Sequence, residues 1–118
     1  MSYCSEVKIL AGKNVAKKIN KAIKKFGCPF DTIKEDKNGV TLFSGDSVKW
    51  YEDDDSFPEV KAVMDIVEEY ANKSGGGRED GIEYARMGEE NEDYEWRGNS
   101  LLPSYLCRTI EVVGFAEK

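Results

Sequence analysis

The sequence predicts an α+β fold of the ferredoxin-like split βαβ order: two helices on one face of a mostly antiparallel sheet, with one or two extra strands. Three observations carry that prediction. A run of β-forming residues opens the chain, two segments repeat apolar residues on a 3.6-residue period, and a candidate hairpin lies between them. At 118 residues a single domain spanning 1–118 with one core is expected, without room for a second core.

The opening strand is read over residues 3–10, with Val7 and Ile9 on one face and Gly12 ending it. Val15, Ile19, Ala22, Ile23 and Phe26 then form a helical stripe, with Asn14 as the candidate cap and Gly27 as the C′ residue. Pro29 blocks extension, because the residue before proline is pushed out of the helical region. A short strand at Thr32–Lys34 and a turn at Lys37-Asn38-Gly39 follow.

Val40–Phe43 and Ser47–Tyr51 are read as a hairpin about Ser44-Gly45-Asp46, with Trp50 on the core face. Ser56-Phe57-Pro58-Glu59 has the spacing of a capping box with proline in the first helical turn. The helix it opens carries Val60, Val63, Met64, Val67 and Tyr70 or Ala71 as its buried stripe. Gly75–Gly77 break the chain as a flexible surface loop. Gly81–Met87 is the next strand, and Tyr94 and Trp96 share parity as a short strand would place them. Leu101–Tyr105 reads as loop and Leu106–Val113 as a closing strand.

The net charge is −6 and the mean hydropathy −0.59. Residues 1–27 hold seven lysines against one glutamate, whereas the remainder holds ten basic against twenty-two acidic residues. One basic helix therefore belongs to an otherwise acidic molecule, whose field repels phosphate backbones and attracts basic protein surfaces. No run approaches a membrane span of about 20 apolar residues, and no signal segment opens the chain, so a cytoplasmic protein is expected. Cys4, Cys28 and Cys107 are widely spaced and read as small, partly buried hydrophobes rather than a disulfide or zinc set.

The chain contains no histidine, which removes most Ser-His-Asp, Cys-His and His-metal chemistry. The acidic run Glu52–Asp55 does not fit a calcium loop started at Asp53: Pro58 stands where the sixth-position glycine belongs and Met64 where the twelfth-position glutamate belongs. No cofactor or metal is expected. The material for a small hydrolase is a carboxylate pair such as Glu89 with Glu92 or Asp93, beside Arg86 or Arg97. The lysine-coated helix, Lys13–Lys25, supports an alternative nucleic-acid-binding or regulatory reading, although it lacks arginine and interleaved aromatics.

Four stretches carry a family resemblance: SYCSEVKIL, VKWYEDDDSFPEVKAVMDIVEEY, YARMGEENEDYEWRGN and RTIEVVG. Tyr3, Ser5, Glu6 and Val7 open the pattern; Trp50, Tyr51 and Glu52, with Pro58, Glu59 and Val60, form its centre. Gly88, Glu89 and Asp93 match the acidic tract, and Arg108, Thr109, Ile110 and Glu111 the close. With these the chain resembles a group of small uncharacterised proteins from bacteriophages, prophages and bacteria. It departs from that pattern at Gly75–Gly77 and at Tyr94-Glu95-Trp96. The resemblance implies a phage or prophage setting and no catalytic role.

Together these readings lead to a non-enzymatic acidic protein-interaction module that inhibits or modulates a host defence or nucleic-acid-processing protein. Its expected surface comprises Tyr51, Glu52, Asp53, Asp54, Asp55, Glu89, Glu90, Glu92, Asp93, Tyr94, Trp96 and Arg97. Aromatic anchors ringed by charge are what binding to a basic protein surface requires. Homodimerisation stays open.

Overall fold

The structure is a computed structural model that describes residues 4–36, 39–50, 56–73, 76–88, 94–99 and 102. Its elements are β1 (Ser5–Ala11), α1 (Lys13–Phe26), β2 (Thr32–Glu35), β3 (Thr41–Val48), α2 (Pro58–Ala71), a 3-10 turn (Arg78–Asp80), β4 (Ile82–Gly88) and β5 (Tyr94–Gly98). The sheet runs in the order β2-β3-β1-β4-β5. Every pairing between these strands is antiparallel, and both helices pack on one face. The first four strands thus follow the ferredoxin-like order, and β5 extends the sheet beyond β4.

Cross-strand partners share a face. Ile9 pairs with Phe43 and with Tyr84, and Ala11 with Ile82, so these side chains meet the helices. Val15, Ala16 and Ile19 of α1 and Val60, Val63, Met64, Val67 and Tyr70 of α2 complete that core. Trp50 joins it as expected, 5.7 Å from the Phe30 ring and 6.5 Å from Tyr84 between centroids. Trp50 Nε1 is buried with no acceptor among the described residues.

The hairpin lies one strand earlier than expected. Thr41–Val48 is one continuous strand, and Ser44-Gly45-Asp46 sits inside it. Val7 faces Gly45 while Ser5 faces Val48, so β3 carries one more residue than β1 across this interval, a β-bulge. Asp31 occupies the polar groups that a turn would have used: its amide donates to the Ser44 carbonyl at 2.8 Å and its carboxylate accepts from the Asp46 amide at 2.9 Å. The true hairpin joins β2 to β3. There the Asp36 carboxylate, fully buried, accepts from the Val40 amide at 2.9 Å, and Gly39 takes φ 84°, a value that disfavours any residue with a Cβ.

Four smaller expectations also change. Gly12, not Asn14, precedes α1 as its N-cap residue; the Asn14 amide instead donates to Asp80 at 3.1 Å. Phe26 is 43% exposed, because burial along the α1 stripe declines through half-buried Ala22 and Ile23 toward the helix end. The S-x-x-E box does not cap α2: Phe57 holds the N-cap position without a side-chain bond, and Pro58 opens the helix. Cys28 is exposed rather than partly buried, whereas Cys4 is partly buried.

A second apolar cluster covers the helix-free face, where none was expected. Leu10 pairs with Leu42 there, and Val40 and Leu102 close over them, Leu102 being fully buried. The expected strand at Leu106–Val113 and Cys107 lie outside the described residues, as do Tyr51–Asp55, Glu89–Asp93 and Pro103–Tyr105.

Candidate interaction surface

The β4–β5 ladder determines where the aromatic and charged residues of the second acidic tract point. Tyr94 pairs with Met87 and Trp96 with Ala85, which puts both aromatics on the helix-free face. Glu95 pairs with Arg86 and Arg97 with Tyr84, which puts these four on the helix face. Alternation along five residues therefore separates two aromatics from an ionic set.

The ionic set is closely connected. Glu95 Oε1 accepts from the fully buried Tyr84 hydroxyl at 3.0 Å and from Arg86 Nε at 3.5 Å. Its other oxygen pairs with Arg97 Nη2. Arg97 reaches on to Glu68 of α2 at 2.9 Å and lies 5.9 Å from the Tyr84 ring centroid. Arg86 also donates to Ser5 Oγ at 3.2 Å. Charge-assisted bonds of this kind are the stronger ones; they tie β5 to β4 and to α2, while Arg86 ties β4 to β1. Asn99 secures the end of β5 by donating to the carbonyls of Tyr70 and Asp80 and accepting from the Ile82 amide.

On the other face Trp96 is 46% exposed. Its ring runs along the strand over Gly98, where an added Cβ would come within 2.8 Å of Cζ2. A groove of about 420 Å³ lies between β5 and the second half of α2, lined by Glu68, Ala71, Asn72, Trp96, Arg97 and Gly98. Trp96 is thus exposed on a strand whose opposite face is tied down by Glu95 and Arg97, and tryptophan is among the residues enriched where protein–protein contacts are strongest.

Tyr94, Trp96 and Arg97 are thus brought together on one strand, though Arg97 turns to the helix face and serves the fold. Tyr51, Glu52, Asp53, Asp54 and Asp55, with Glu89, Glu90, Glu92 and Asp93, lie outside the described residues. The latter four stand in sequence between Met87 and Tyr94, which are paired. Sequence reasoning missed Glu95, the centre of the ionic set. Its parity with Arg97, opposite to that of the two aromatics, was the available signal. Arg86 and Arg97, named beside the candidate carboxylate pair, both bind Glu95.

The other charged feature is the lysine face of α1. Lys18 pairs with Glu69 at 3.2 Å and stands 5.1 Å from the Tyr70 ring centroid, while Lys73 stands 4.6 Å from it. The Glu69 hydrogen bond, then Tyr70, raises the Lys18 pKa above its ordinary value. Among the described residues no cluster of three or more acidic or cysteine side chains is placed to hold a metal ion, and no helix is long and apolar enough to cross a membrane. Comparisons with family models, curated proteins and solved structures find no match to this chain.

Proposed function

We propose that the protein is a non-enzymatic, acidic protein-interaction module of phage or prophage origin, acting in the cytoplasm on a partner with a basic surface. The supporting observation is Trp96, nearly half exposed on a strand that Glu95, Arg97 and Asn99 hold in place. Around it in sequence stand Glu89, Glu90, Glu92 and Asp93, the charges that would meet a basic surface. A host defence or nucleic-acid-processing protein, whose working face must be basic to bind phosphate, is the partner class this pattern fits.

Immobilised protein exposed to host lysate tests the reading when the captured partner is quantified across variants. Trp96→Ser should lower capture by at least the roughly 2 kcal/mol of an aromatic hot spot. Glu89→Lys, Glu90→Lys and Glu92→Lys combined should abolish it, with the circular dichroism spectrum unchanged. Undiminished capture by both variants overturns the proposal.

A further inference from the structure

The lysines of α1 do not form an even coat; some of them converge with Lys73 on one groove. Between α1 and the end of α2 lies a groove of about 460 Å³ lined by Lys17, Lys18, Lys21, Tyr70, Lys73 and Asp80, with Asn14 at its margin. We propose that this groove binds a compact phosphate-bearing anion through the ammonium groups of Lys17, Lys18, Lys21 and Lys73.

Charge is the first argument. Four cations line the groove, Asp80 lies in its wall and Glu69 beside it. Two positive charges are left in excess, matching one phosphate dianion. Lys17 and Lys21 are exposed and stand one helical turn apart, about 6 Å along the axis. Like charges at this spacing disfavour a helix, and a bound anion would remove that cost.

Preorganisation is the second. Tyr70 is only 4% exposed, so its ring belongs to the core and acts here as a fixed platform. Lys18 and Lys73 both rest on it, at 5.1 and 4.6 Å from the centroid, and Glu69 holds Lys18 further. Two of the four ammoniums are therefore positioned before a ligand arrives, which lowers the ordering cost of binding.

The same features select a compact ligand over a polymer. The groove has no arginine for bidentate base or phosphate recognition and no exposed ring for a base to stack on. A nucleic acid would extend past the groove into the field of a chain with net charge −6. A phosphate or polyphosphate group would stay within it, inside one screening length of about 8 Å at physiological salt. The volume also lies within the roughly 300–1,000 Å³ typical of small-ligand sites.

The test is a titration of the full chain with inorganic tripolyphosphate at low salt, followed by amide NMR shifts. Saturable shifts should centre on Lys17, Lys18, Lys21, Tyr70 and Lys73. Lys17→Gln with Lys21→Gln should weaken binding by on the order of tenfold, whereas Lys24→Gln with Lys25→Gln, on the same helix but outside the groove, should change it less than about twofold. Absence of saturation at millimolar anion, or equal effects of the two double variants, would overturn the proposal. Tighter binding of a mixed-sequence oligonucleotide than of tripolyphosphate would also overturn it, assigning the lysines to a polymer.

Discussion

Ile19 and Phe26 lie on one apolar stripe of α1, yet Ile19 is fully buried and Phe26 is 43% exposed. Ile19→Ala should therefore cost about 2–5 kcal/mol in urea unfolding, and Phe26→Ala should stay within about 0.5 kcal/mol of the parent. Equal losses would mean that Phe26 is covered in solution. Lys18 yields a prediction about pH. Its pKa is raised in the folded chain by the Glu69 hydrogen bond and by Tyr70, so the folded state holds its proton more tightly than the unfolded state. That contribution is complete below the ordinary lysine value of 10.5 and is lost as pH rises through the folded value. The pair is exposed and the effect small. The difference in melting temperature between the parent and Lys18→Gln should accordingly shrink at alkaline pH; a constant difference would exclude the linkage. At this scale large apolar residues were legible: Trp50 announced its burial by size and alternation. Glu95 did not, because a carboxylate inside an acidic tract looks like its neighbours until strand pairing sets Arg86 and Arg97 beside it.

The two helices were read correctly as elements because their periods are clear: the α2 stripe from Val60 to Tyr70 is buried as spaced, whereas β2, exposed along its length, has no such period. β3 was misread because its Ser44-Gly45-Asp46 composition is that of a turn. What decided against a turn was pairing. Thr41–Val48 hydrogen-bonds to β1 along one edge and to β2 along the other, a gain no local propensity can match. The Asn14 error has the same origin, since its amide has a long-range use on Asp80 that only the folded chain reveals. β5 gives the prediction at this scale. Glu95→Ala removes an acceptor from the buried Tyr84 hydroxyl and the carboxylate that Arg86 and Arg97 share. It should cost about 1–3 kcal/mol and accelerate amide exchange in Tyr94–Gly98 more than in β1. Unchanged exchange in β5 would show that its backbone ladder alone holds it.

For the whole molecule, the order of elements was legible even though one hairpin arm was misplaced, because shifting the hairpin by one strand leaves the β-α-β-β-α-β sequence intact. The second apolar cluster was not legible. Leu10 and Leu42 sit among polar neighbours on their face of the sheet, and their closure by Leu102 is a long-range event that no local pattern encodes. The segregation of charge was readable by counting; the convergence of Lys17, Lys18 and Lys21 with Lys73 required the packing of α1 on α2. The central place of β1 in the sheet also bears on synthesis. β1 is made first, yet it gains its second neighbour only when β4 has been made, as its pairing of Ser5 with Gly88 requires. Until then Val7, Ile9 and Leu10 have no complete sheet to enter. Between the synthesis of β1 and that of β4, about seventy residues later, the nascent chain thus carries an apolar strand with one edge unpaired, and the sheet closes only once β4 is available.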